Sequence, residues 1–144
     1  MKIRPWKYED ILRISEIEKE CFPKEPWSFQ MLASSFGSEA FSGVVAEDGG
    51  EVIGYGGFTA AADTADIDNI AVVENYRRGG VAKAVVEELC KKAKKSGVKK
   101  LFLEVRVSNF AAMSLYLKCG FKGVYARSRY YPDGEDCLVM VKEL

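Results

Sequence analysis

A chain of 144 residues with 21 basic and 21 acidic side chains has no formal net charge, and it contains no histidine. Without a basic excess it does not suit general nucleic-acid binding, which depends on displacing counterions from phosphate. Without histidine there is no Ser-His-Asp triad, no Cys-His dyad and no ordinary zinc site, so no metal is expected and the general base is a carboxylate, lysine, tyrosine, cysteine or water.

Residues 2–4 read as a short strand closed by Pro5. Tyr8, Glu9 and Asp10 open a helix with Ile11, Ile14, Ile17 and Cys21 on one stripe, and Pro23 and Pro26 end it. A second helix starts at Ser28, a good N-cap residue, with Met31, Leu32 and Phe36 behind it and Gly37 closing it. Strands over 41–47 and 51–60 meet at Asp48-Gly49-Gly50, a hairpin signal. A fourth strand covers 65–73, and a polar, glycine-bearing stretch follows over 74–80. Residues 80–95 form an amphipathic helix: Val81, Val85 and Leu89 recur every four residues, while Glu87 pairs with Lys91 and Glu88 with Lys92. A fifth strand over 100–106 and a helix over 109–118 follow. Strands over 122–131 and 136–141, joined at Pro132-Asp133-Gly134, complete the chain.

The order β-α-α-β-β-β-α-β-α-β-β is that of an α/β protein, a mixed sheet with helices on its faces. With 48% hydrophobic residues, a single domain over residues 1–144 can fill one core. Cys21, Cys90, Cys119 and Cys137 form no C-x-x-C pair and read as free thiols of a cytoplasmic protein. The start of the chain lacks a leader pattern, and no apolar run nears the length of a membrane span, so no membrane association is expected.

Three clusters carry chemistry. The first is Arg77-Arg78-Gly79-Gly80-Val81-Ala82, between a strand and a helix. Helix N-termini present unpaired N–H groups, and glycine lets a ligand approach closely, so this stretch suits a pyrophosphate. It lacks the Gly-Lys-Ser/Thr of a Walker loop and the glycine spacing of a dinucleotide site; the plain alternative is a strand-to-helix loop with solvated arginines. The second is Leu101-Phe102-Leu103-Glu104-Val105-Arg106, which puts Leu101, Leu103 and Val105 on one strand face and Glu104 on the other. A glutamate in so apolar a strand suits proton transfer, or else it pairs with Arg106 or another basic residue. The third runs from Ser108 to Phe121. Asn109 suits an N-cap, Phe110, Met113 and Leu117 form a core stripe, and Tyr116 lies off that stripe, as a proton donor or as a packed aromatic.

Together these clusters resemble the GNAT-fold, acetyl-CoA-dependent N-acetyltransferases, over essentially the whole order of elements. The family's pyrophosphate motif, Q/R-x-x-G-x-G/A, reads here Arg77-x-x-Gly80-x-Ala82, directly after Ile70-Ala71-Val72-Val73. Phe22-Pro23-Lys24-Glu25-Pro26-Trp27-Ser28, Leu103-Glu104-Val105-Arg106, Ser108-Asn109, Leu115-Tyr116, Gly120-Phe121 and Tyr130-Tyr131-Pro132 sharpen the likeness to the RimI-type ribosomal-protein alanine N-acetyltransferases.

The resemblance implies a seven-stranded, mostly antiparallel sheet with splayed central strands and flanking helices. It implies acetyl-CoA with its pantetheine arm against the backbone of Ile70, Ala71 and Val72. Its pyrophosphate then lies on Arg77, Arg78, Gly79, Gly80, Val81 and Ala82, with Asn109 beside the cofactor. Glu104 matches the family's proton acceptor and Tyr116 its donor. Trp27, Tyr130 and Tyr131 match substrate walls, and the implied substrate is a protein N-terminus, the alanine of the eighteenth small-subunit ribosomal protein. Asp66 and Asp68, near the same cleft, hold a basic peptide or are simply solvated. A lysine, a polyamine or an antibiotic is an alternative acceptor, and a non-enzymatic acyl-CoA-binding regulator is an alternative role.

Overall fold

A computed structural model describes residues 1–144. Strand β1 (Lys2–Pro5) leads through a single 3-10 turn into α1 (Ile11–Cys21) and α2 (Phe29–Phe36). Strands β2 (Phe41–Asp48), β3 (Glu51–Ala61) and β4 (Thr64–Val72) follow as a meander. Then come α3 (Val81–Lys95), β5 (Lys100–Arg106), α4 (Phe110–Lys118), β6 (Lys122–Arg127) and β7 (Cys137–Glu143). The seven strands form one sheet in the order β1-β2-β3-β4-β5-β7-β6. Only β4 and β5 run parallel. They are joined through α3, because a parallel pair needs a crossover rather than a hairpin.

The helices cover the sheet as the hydrophobic pattern demands. Val81, Val85 and Leu89 of α3 pack on one face with Phe58, Leu101 and Leu103, and the face of α1 carrying Ile11, Ile14 and Ile17 packs on the other with Trp6, Val45 and Tyr55. Gly57 is required here: a Cβ would lie 2.3 Å from the Phe41 ring, which lies across the sheet at that point. Ser28 caps α2, accepting the Met31 N–H at 3.2 Å. All four cysteines are unpaired. No helix is long and apolar enough to cross a membrane.

Two expectations change. The strand over 122–131 ends at Arg127, because Arg129 adopts a left-handed φ of 51° and its N–H turns to Asp136 at 2.9 Å. Residues 128–136 are therefore a loop, not a tight hairpin. Of the stripe Phe110, Met113 and Leu117 only Met113 lies on the core face of α4, since Phe110 is 73% and Leu117 59% exposed. Ala112, Met113, Leu115 and Tyr116 pack against the sheet instead. The helix is apolar almost all round, so periodicity offers two stripes and the sheet selects one.

At the start of the chain Arg4 binds Asp10 through two nitrogens, at 2.8 and 3.0 Å, and Glu47 at 3.1 Å. Asp10 also accepts the Lys7 N–H at 2.7 Å. Burial pushes the Asp10 carboxyl up, but Arg4 and the Lys7 amide outweigh it and hold the group below the usual carboxylate range. A depressed folded value means that the stabilisation is complete above the unfolded value, about 3.9, and is lost as pH falls through the folded one. Asp10→Asn should cost about 1–3 kcal/mol at pH 7. In paired thermal melts of mutant and native protein, the gap should narrow from pH 7 towards pH 3.

Candidate active site

The β4–β5 ladder comprises Thr64, Ala65 and Asp66 opposite Lys100, Leu101 and Phe102, and then stops. Beyond it, Gly57 of β3 faces Asn69 while Phe58 faces Ile67, so Asp68 is one extra residue in β4. Such a bulge bends its strand, and here it turns β4 away from β5. Thr59 holds the bulge by donating to Asp68 at 2.6 Å.

The parted strands open into a cavity of about 660 Å³ that Trp27, Ile70, Glu104, Asn109, Tyr116 and Tyr131 help to line. A second cavity of about 1070 Å³ shares Trp27, Glu104 and Tyr131 with the first and adds Asp66, Arg127 and Tyr130. Glu104 thus borders both. It sits on the face opposite buried Leu103 and Val105, as strand alternation dictates. Its side chain is 37% exposed, so it opens on the cavities rather than being enclosed. It accepts the Tyr130 hydroxyl at 2.9 Å and faces the Arg127 guanidinium at 3.4 Å. Arg106 is not its partner.

Tyr116 projects from the sheet side of α4, edge-on to Phe121 at 5.9 Å. Burial pushes its phenol up to about 12, so it stays protonated at neutral pH. Asn109 caps α4, accepting the Ala112 N–H at 3.1 Å, and reaches the first cavity. Burial raises the Asp68 carboxyl, and burial followed by the charge of Glu104 raises that of Asp66.

The backbone of β4 divides its duties. Val73 N–H bonds Ile53 O at 2.9 Å, so by alternation Ile70 and Val72 turn their peptide groups to the gap, while Ala71 turns its own to β3. The Val72 carbonyl is already engaged by Arg77 Nε at 3.0 Å and Cys21 Sγ at 3.5 Å. The stretch from Arg77 to Ala82 lines neither cavity. Arg78 and Gly80 both take left-handed φ, 67° and 82°, and no atom lies within 4 Å of where a Gly80 Cβ would stand. The N–H groups of residues 78–83 have no backbone acceptor. That row of free donors at the start of a 15-residue helix fits a pyrophosphate. The Arg77 side chain, by contrast, is drawn back onto Val72 and Cys21.

The sequence reading missed two clamps. Arg106 binds Asp133 at 2.9 Å and Glu135 at 3.1 Å and lies over the Tyr131 ring at 4.0 Å. Glu135 also accepts the Ser108 N–H. Glu18, fully buried, accepts from Trp27 N, Asn69 Nδ2 and Tyr55 Oη. The available signal was a glutamate four residues after Ile14, on the inward stripe of α1.

Residues 11–121 match the Acetyltransferase (GNAT) family. The chain belongs to the GNAT family of acetyltransferases. It is 38% identical over 118 residues to the [Ribosomal protein bS18]-alanine N-acetyltransferase of Escherichia coli (strain K12), covering 80% of this chain and 79% of that one. It is 34% identical over 157 residues to an N-alpha-acetyltransferase of Sulfurisphaera tokodaii, covering 99% of this chain and 93% of that one. The crystal structure of the ribosomal-protein-S18-alanine N-acetyltransferase from Escherichia coli superposes with a TM-score of 0.90 at 33% identity, over 99% of this chain and 92% of that one. This GNAT enzyme is therefore an acetyl-CoA-dependent N-acetyltransferase of the RimI type.

The Arg106 clamp makes a measurable claim. Arg106→Met keeps an apolar stem but removes both ion pairs and the stacking. Amide hydrogen exchange at Ser108, Tyr131 and Glu135 should speed up about tenfold or more, while the β5 and β7 amides keep their protection.

Proposed function

We propose that this GNAT enzyme acetylates the N-terminal α-amine of a protein, and that its substrate is the N-terminal alanine of ribosomal protein bS18. Residues 1–144 act as one catalytic domain in this proposal. The observation that carries it is the shared border of the two cavities, which Glu104 lines together with Trp27 and Tyr131, with Tyr130 on the side of the second cavity. The names of the bacterial relatives support the alanine substrate. The archaeal relative's broader name supports a wider range of N-termini, and first-residue preference separates the two.

In this reading the pantetheine arm enters the gap beside the peptide groups of Ile70 and Val72, and the pyrophosphate lies on the free N–H groups of residues 78–83. The peptide amine enters from the second cavity. A free N-terminal ammonium titrates near 7.7–8.0, so an appreciable share is already neutral at pH 7. As the nitrogen bonds to the thioester carbon it becomes cationic and far more acidic. At that moment Glu104, held by Tyr130 and Arg127, takes its proton directly or through water. The carbon–sulfur bond then breaks and the electron pair leaves on sulfur.

Tyr116 is the donor to that sulfur. Its phenol lies near 12, while a thiol ordinarily titrates near 8.5, so complete transfer to a free thiolate would be uphill by roughly 5 kcal/mol. Its contribution is therefore a hydrogen bond that strengthens as charge develops. The proton that ends on the thiol balances the one released by the amine. No acyl-enzyme forms, and no cysteine is needed.

Thiol release from acetyl-CoA should be measured with peptides that differ only in the first residue. A free N-terminal alanine should exceed other first residues about tenfold in kcat/KM, and a peptide with a blocked N-terminus and an internal lysine should not react. Equal acetylation of the blocked peptide would overturn the reading. Glu104→Gln should lose about a hundredfold in turnover at pH 7 and less at high pH. Tyr116→Phe should lose turnover while its acetyl-CoA affinity and melting temperature stay close to those of the native enzyme.

A further inference from the structure

We propose that Glu18 is a positioning residue that sets the distance between the 23–27 lip and β4, and so fixes the width of the peptide entrance. The proposal rests on the reading of Trp27 as a substrate wall.

Glu18 has no exposed surface, and it sits among Ile11, Ile14 and Ile17 on the inward face of α1. A carboxylate there is costly unless its oxygens are satisfied. Asp10, the other buried acid, has an arginine beside it, whereas Glu18 is held only by neutral donors. Oε1 accepts the Trp27 N–H at 2.9 Å and the Asn69 amide at 3.0 Å, and Oε2 accepts the Tyr55 hydroxyl at 2.6 Å. Burial pushes the carboxyl up, and the three donors pull it back. The neighbouring Tyr55 phenol is pushed up by the same burial and by the charge of Glu18, so it remains a donor.

The partners explain why a carboxylate rather than another isoleucine occupies the position. Trp27 ends the proline-bearing lip of the cleft, and its N–H has no backbone acceptor. Asn69 follows the Asp68 bulge and lines both cavities. A single oxygen atom therefore ties the lip to the strand that diverges from β5. Glu18 itself lines neither cavity, so it acts through Trp27 and Asn69. Tyr55, on β3, anchors the other oxygen to the sheet and fixes the carboxylate plane. A two-oxygen acceptor with three fixed donors has one orientation, which is what a positioning element requires.

The test compares Glu18→Leu, Glu18→Asp and Glu18→Gln. In native protein the Trp27 amide should exchange slowly for a loop position. Glu18→Leu should speed its exchange at least thirtyfold and raise peptide KM at least tenfold, with acetyl-CoA affinity within threefold of native. Glu18→Asp keeps the charge but is one methylene short of spanning Trp27 and Tyr55. It should show the same pattern more weakly, and it carries the test if the leucine variant does not fold. Glu18→Gln can accept from Trp27 and Asn69 with its oxygen and donate to the Tyr55 oxygen, so its peptide KM should stay within threefold of native.

Unchanged Trp27 exchange in a folded leucine or aspartate variant overturns the proposal. So does parallel weakening of peptide and acetyl-CoA binding, which marks a general core defect, or a glutamine variant as impaired as the leucine one. The exchange measurement needs no turnover. Native protein that fails to acetylate the alanine peptide counts against the proposed substrate, whereas native turnover with an unchanged Trp27 amide in the variants counts against Glu18 alone.

Discussion

The ladder between β4 and β5 ends with Asp66 opposite Phe102, and the rest of the candidate site depends on that early end. A parallel pair continued along its length would bond the peptide groups of Ile70 and Val72 to β5 and close the cavity. The bulge at Asp68 prevents this by bending β4, and Thr59 on β3 secures the bent form. The sheet stays intact despite the gap, because β5 is fully paired with β7 on its other edge and β4 with β3 on its own. Unpaired strand edges are ordinarily a liability. Here they face a cavity that Cys21 at the end of α1 and Ala112 and Tyr116 of α4 help to line.

Each wall of the proposed peptide entrance is tied to the framework beside Glu104, but by different physics. The 23–27 lip is held by a buried carboxylate with neutral donors, where low dielectric makes each bond strong and salt has little access. The 128–136 loop is held by Arg106 with Asp133 and Glu135, in partly exposed positions that salt screens. The first tie is accordingly shielded from salt, whereas the second weakens as salt rises. Tyr130 and Arg127 place the second wall in direct contact with Glu104, so motion of that loop is felt at the carboxylate.

The proposed function implies a division of labour along the chain. In that proposal the free N–H groups ahead of α3 and the gap between β4 and β5 serve the acyl donor. The two lips, which are loops and a strand end, serve the acceptor in the same proposal. Loops carried on a fixed scaffold are where specificity changes most readily. Two relatives' names fit that division, one naming the alanine of ribosomal protein bS18 and the other reading N-alpha-acetyltransferase.

Much of this was legible in the sequence, because it is set by near neighbours. The alternation of Leu101, Leu103 and Val105 puts Glu104 on the opposite face, Ser28 caps its own helix, and Gly80 starts α3 in a left-handed conformation. Short-range chemistry also placed every helix within a few residues. Features that depend on distant partners were not legible. The face of α4 was decided by the sheet it meets, since its composition allowed two stripes. The end of β6 was decided by Asp136 reaching back to Arg129. Glu18 finds its partners 9, 37 and 51 residues away, on a loop and two strands. The sequence by itself determined the elements and the chemistry they carry; the tertiary structure decided which of them meet, because burial gives a charge its meaning only when its partners arrive.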